Sequence, residues 1–151
     1  MQIAVVGGLL VLNLVLSATT SAIQAANGRA MPDFRGKWSG TVDQFSHDTE
    51  GSFPVTLTVE ATSGDEFSGV MEWPTFNGCQ TRVQGMFDGE WIKWSETAYL
   101  KGDDVVLAGL YVARFKADNE MSGDWMDPKH TIRPKGPRFG VPGASFKLKK
   151  Q

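Results

Sequence analysis

The side chains of this 151-residue sequence that could do chemistry are few, and they are scattered. His47 falls in the polar run His47-Asp48-Thr49-Glu50-Gly51, and His130 in a proline-rich stretch that begins at Asp127. A metal would need both imidazoles to converge with carboxylates such as Asp48 or Asp127, and no spacing enforces that, so no metal and no cofactor is expected. Acid–base work by either histidine lacks a fixed partner for the same reason, and no catalytic residue is assigned. Cys79 is the only cysteine, which rules out an internal disulfide, a multi-cysteine zinc site and an iron–sulfur site. It sits beside a turn on an inward face and reads as a buried structural thiol, although a bond between two molecules is open to it in an oxidising compartment. Glu96 and Tyr99 are the acid and phenol we name for a small lyase, isomerase or cyclase, should an enclosed lumen bring them together.

Aromatic residues are the richer signal. Trp38, Trp73, Trp91, Trp94, Trp125, Tyr99 and Tyr111 could wall a small-molecule pocket, or could simply fill a core. If one end of the fold is open, Trp73, Tyr111 and Trp125 should line it, because each falls on a face assigned inward. Alternation turns Glu72, Arg82 and Arg114 outward, toward cross-strand surface pairs. Were Arg114 to point inward instead, it would anchor a ligand carboxylate.

Strands must position these residues. Phe53, Val55, Leu57 and Val59 alternate with Thr56, Thr58 and Glu60, the period of a half-buried strand. The same rhythm predicts strands over 36–45, 67–73, 79–87, 90–99, 105–115, 121–126 and 144–149. The connections include Ser63-Gly64-Asp65-Glu66, Asn77-Gly78 and Asp88-Gly89, all turn formers. In the 90–99 strand Trp91 and Trp94 fall on opposite faces, so its phase is open: both sides are partly covered, or a bulge reverses it. The 105–115 run is apolar on both faces, which implies cover on both or an outer face that meets the tail or a protein partner. Ser-Gly follows a large residue three times, at Trp38-Ser39-Gly40, Phe67-Ser68-Gly69 and Met121-Ser122-Gly123. Strand glycines of this kind relieve crowding where a sheet bends sharply. No helical period occurs in the body of the chain, and short connections favour sequential antiparallel neighbours. The expected fold is therefore all-β, a single up-and-down antiparallel barrel of about eight strands.

The ends carry their own signals. Residues 1–26 hold no charge, with an apolar core from Ile3 to Leu16 and small residues after it. That length suits a signal peptide rather than a membrane span, with an uncleaved anchor as the rival. Residues 27–34 read as a flexible lead-in, and 35–151 as the barrel domain, with a Pro/Gly-rich loop over 127–143 before the last strand. Residues 1–126 hold 8 Lys plus Arg against 16 Asp plus Glu, whereas 127–151 hold 7 against one. The basic tail either folds beside an acidic barrel wall or docks on an anionic partner. Nucleic acid is not an expected target, since the body is acidic and export would remove it.

Gly36-Lys37-Trp38 at the start of a first strand, followed by an up-and-down run of about eight strands, resembles the calycin group of lipocalins and avidins. Phe67-Ser68-Gly69, Met121-Ser122-Gly123-Asp124-Trp125 and Phe146-Lys147-Leu148-Lys149-Lys150 are also similar to bacterial exported lipocalin-like domains. The resemblance spans roughly 34–150 and implies that Trp38 plugs one barrel end. No ligand identity carries over. The expectation is a secreted or periplasmic binding protein, rather than an enzyme, for a small apolar or aromatic ligand. Trp38, Trp73, Tyr111, Trp125 and Arg114 are its candidate contacts, and the mature chain carries no transmembrane span. The alternative is a protein-interaction module, an inhibitor or accessory subunit of an envelope complex, engaging a partner through 105–115 or the basic tail.

Overall fold

The computed structural model describes residues 31–45, 50–107, 109–127 and 142–151. Eight strands follow in chain order: β1 Gly36–Gln44, β2 Gly51–Ser63, β3 Glu66–Trp73, β4 Cys79–Phe87, β5 Ile92–Lys101, β6 Leu110–Ala117, β7 Glu120–Met126 and β8 Pro142–Lys150. Each pairs antiparallel with the next, and β8 returns to β1, which closes the barrel. There is no helix among the described residues. The 1–26 segment, His47, His130 and residues 128–141 of the proline-rich stretch lie outside them.

Period-two patterning decides which side chains enter the barrel. Val55, Leu57 and Val59 of β2, Phe67, Met71 and Trp73 of β3, and Cys79, Thr81, Val83 and Phe87 of β4 are all buried. Gly40, Gly69 and Gly123 stand in the same inward register. A Cβ there would fall on the neighbouring strand's backbone, with the carbonyl carbon of Lys147, Thr58 or Val112 at 2.8, 3.0 and 2.8 Å respectively. The repeated Ser-Gly therefore marks three points where adjacent strands close in too tightly for any side chain.

One end of the barrel is shut. Trp38 is fully buried and donates its indole N–H to the Phe34 carbonyl at 2.9 Å. Phe34 in turn meets Phe67 edge-on at 4.7 Å and Phe115 at 5.7 Å. Phe34 is thus part of the core, which corrects its assignment to a flexible lead-in: its ring caps the apolar end that Trp38 alone would leave unfilled. Lys150 holds this entry segment by donating to the Asp33 carbonyl at 2.7 Å. Above the plug, Trp94 stacks on Tyr111 with centroids 5.0 Å apart, and Phe146 packs edge-on against Trp94.

Two other expectations need correction. The apolar run 105–115 is not one strand: β6 begins at Leu110, and the described residues of 102–109 belong to the connection before it. Gly109, at φ 99°, breaks the extended backbone, and its lack of a side chain lets the chain lie against the Trp125 indole. The connection is tied to β5 by Tyr99 Oη donating to the Val105 carbonyl at 2.7 Å and Ser95 Oγ to the Gly109 carbonyl at 2.8 Å. The last strand, for its part, starts at Pro142 rather than Ala144, since proline is tolerated as the first residue of a strand.

Two lysines of β8 meet acids: Lys149 lies 3.5 Å from Glu120 of β7, and Lys150 3.4 Å from Asp33 in the segment before β1. These exposed pairs are weak, on the order of 0–1 kcal/mol each. At the β4–β5 turn, Asp88 takes Lys93 at 2.6 Å and the Trp91 backbone N–H at 2.8 Å. Chiefly the Lys93 contact, with the backbone donors behind it, lowers its pKa to about 2.

Candidate functional site

The opposite end of the barrel is open, and the reason lies in one short ladder. β5 and β6 share only three pairs, Ile92↔Ala113, Lys93↔Val112 and Trp94↔Tyr111. Beyond Trp94, β5 continues to Lys101 alongside β4 while the 102–109 connection takes the place of its lost partner. A cavity of about 220 Å³ occupies this end, walled by Trp73, Phe76, Tyr111 and Trp125, with Val42, Ala144, Val105 and Val106 between them. Glu96, Gln44 and Asp104 supply its polar lining.

Glu96 is the centre of the site. With Ile92 and Trp94 inward, period two brings Glu96 inward as well, and it is only 7 % exposed. A bulge follows at once, since Val83 pairs with Glu96 but Arg82 pairs with Ala98, leaving Thr97 without a partner in the register. Three neutral donors converge on the carboxyl. Tyr111 Oη donates to Oε1 at 2.7 Å, Trp73 Nε1 donates to Oε2 at 3.2 Å, and Thr81 Oγ1 also donates to Oε2. Burial nonetheless outweighs these bonds and raises the Glu96 pKa, because removing the carboxylate from water costs more than the donors return. Burial also pushes the Tyr111 phenol well up, helped by the neighbouring Glu96 charge, so it remains a donor. The arrangement offers a rigidly held carboxyl against aromatic faces, an acceptor for a ligand N–H or O–H.

The residues singled out by sequence separate into three places. Trp73, Tyr111 and Trp125 come together around the cavity. Trp38 lies in the closed end, packed on Phe34 and Phe115, and does not line the cavity. Arg114 points outward, 44 % exposed, where it stacks 3.6 Å over the Trp91 ring and pairs with Glu90. The condition for its anchoring a ligand inside the barrel is not met. Glu96 finds its phenol in Tyr111 rather than Tyr99: Tyr99 is turned to the rim, where it holds Val105. Sequence reasoning named Glu96 without assigning its face, and gave no role to Phe76 or Thr81; the signal available for Glu96 was its spacing of two from Trp94. Glu72, half-buried on the outer wall, accepts from Gln80 at 3.2 Å as a cross-strand pair.

Cys79 is fully buried, so no second molecule reaches its sulfur while the β3–β4 hairpin is intact. Among the described residues no three His, Cys, Asp or Glu side chains converge as metal ligands. Two roomier depressions lie on the outside. One, of about 460 Å³, runs over β6, β7 and β8 beside Trp91, and another, of about 320 Å³, lies around the β2–β3 turn. Neither has an aromatic enclosure or a buried charged group, so the interior cavity is the better candidate. Compared with protein-family models, characterised proteins and solved structures, the chain matches none.

Proposed function

We propose that this is a calycin-like, extracytoplasmic binding protein that takes one small apolar or aromatic molecule into the open end of its barrel. The observation that carries the reading is the cavity itself: four aromatic side chains face a space that the core does not fill, with one buried carboxyl in its lining. Its volume of about 220 Å³ is below the roughly 300–1,000 Å³ of drug-sized pockets, so the ligand is small. Export is supported by the uncharged, apolar 1–26 segment.

Titration with benzyl alcohol, followed by tryptophan emission, tests this. The expected result is a saturable change that Trp125→Ala weakens roughly tenfold, the loss of about 1.4 kcal/mol of ring contact. No saturable change, or one that Trp125→Ala leaves alone, would contradict it.

A second reading, the protein-interaction module, draws on the exposed apolar residues Phe45, Tyr99, Leu100 and Val106 near the open end. Sedimentation separates the two, since a strict monomer without a co-purifying partner favours the ligand reading.

A further inference from the structure

We infer that the molecule taken up by this cavity is a small organic cation, an ammonium group carried on an apolar or aromatic body. The inference rests on the small-ligand reading above and narrows it to one chemical class.

Charge is the first argument. The described residues lining the cavity include two acids, Glu96 and Asp104, and no lysine, arginine or histidine. The groups facing Glu96 are Trp73 from β3, Thr81 from β4 and Tyr111 from β6, all uncharged donors. Asp104, on the 102–109 connection, accepts from Asn77 at 3.3 Å, again a neutral partner. An anionic ligand such as a fatty acid would therefore set its carboxylate near Glu96 with no counter-charge between them. Such an arrangement is disfavoured on both Coulomb and desolvation grounds. A neutral ligand would leave the buried carboxyl unexplained, since an apolar side chain would fill the position without the cost of dehydrating a charge.

The walls make the second argument. Trp73, Phe76, Tyr111 and Trp125 line one space, and Trp73 meets Phe76 at 6.0 Å and 69°. Ring faces attract a desolvated cation through the ring quadrupole, and an aromatic enclosure is how proteins hold ammonium groups. Valence supplies the third argument. Oε2 of Glu96 already accepts from Trp73 and Thr81, whereas Oε1 takes only Tyr111 among the bonds described. A carboxylate oxygen has two lone-pair sites, so Oε1 retains one for an N–H of the ligand. The ammonium would complete a set of donors that the protein leaves one short.

Three probes of nearly equal size test the inference on the full chain by calorimetry at pH 8: benzylammonium, benzyl alcohol and benzoate. The expected order is benzylammonium at least roughly tenfold tighter than benzyl alcohol, with benzoate weakest. Glu96→Gln should bring the first two together while benzyl alcohol still binds, and in the native chain the preference should shrink as falling pH protonates Glu96. Asp104→Asn, at the rim, disturbs no buried group and should reduce the preference by a smaller factor. Benzyl alcohol binding as tightly as benzylammonium would overturn the cation assignment and leave the small-ligand reading standing. Failure of all three probes to bind would overturn both.

Discussion

Replacing Gly40, Gly69 or Gly123 by alanine is expected to cost more than about 3 kcal/mol each, enough to leave a domain of this size largely unfolded. The added methyl at Gly40 meets the Lys147 carbonyl, at Gly69 that of Thr58, and at Gly123 that of Val112, with the Ala113 Cα only 2.6 Å away. All of these are backbone atoms, so no side chain can swing aside to make room. Relief would require the strands to separate, and in a closed barrel separation at one seam loosens every ladder around the ring. Each position also sits one residue after an outward serine, which provides a matched control. Ser122→Ala, beside Gly123 on the outer wall, should stay within about 0.5 kcal/mol. Urea midpoints of the four variants check this; a Gly123→Ala midpoint close to that of Ser122→Ala would contradict the close approach of β6 and β7.

The second large effect belongs to Glu96. Glu96→Ala strands the donors of Tyr111, Trp73 and Thr81 in a buried site. With about 1–3 kcal/mol for each buried donor left unpaired and some of them reached by water from the cavity, a loss of about 2–4 kcal/mol is expected. The carboxyl also sets a pH dependence whose sign is opposite to that of most paired carboxylates. Burial raises the Glu96 pKa, so between the unfolded value and the folded one the native chain holds a proton that the unfolded chain has released. That stability is fully present below the unfolded carboxyl's pKa, about 4.3, and is lost as pH rises through the folded value. The slope across that window approaches about 1.4 kcal/mol per pH unit. Glu96→Gln keeps an acceptor in place and removes the titration, so the difference between the two unfolding free energies should change with pH only through that window. Parallel profiles would mean that the carboxyl is hydrated.

Much of this was legible in the residues, for physical reasons. Clean alternation in β2, β3 and β4 fixed their inward faces, and Asn77-Gly78 and Asp88-Gly89 fixed where they end. Trp73, Tyr111 and Trp125 could be placed around an opening because each continues such a face. Where legibility failed, local pattern and tertiary contact disagreed. Val105 and Val106 look like strand, yet Gly109 and the Tyr99–Val105 bond turn them into a cover for the open end. Trp91 obscured the phase of β5 because it stands before the strand, beneath Arg114, and not within it. Removing Trp91 from the pattern leaves Ile92, Trp94 and Glu96 as a plain inward row, and the buried carboxyl then follows. Phe34 could not be placed by period at all, since it precedes the first strand and is held by Trp38.

The five tryptophans sample different parts of the molecule, and their indole N–H resonances offer the most direct measurement. Trp38 lies in the closed end, Trp94 in the packed middle, Trp91 on the outer wall, and Trp73 and Trp125 on the cavity. In a proton–nitrogen correlation spectrum titrated with benzylammonium, the Trp73 and Trp125 signals should move together and saturate. The Trp73 signal should respond most, because its N–H is bonded to Glu96. Trp38 and Trp91 should stay in place. Movement confined to Trp91, or no movement at the cavity pair, would contradict a binding site inside the barrel.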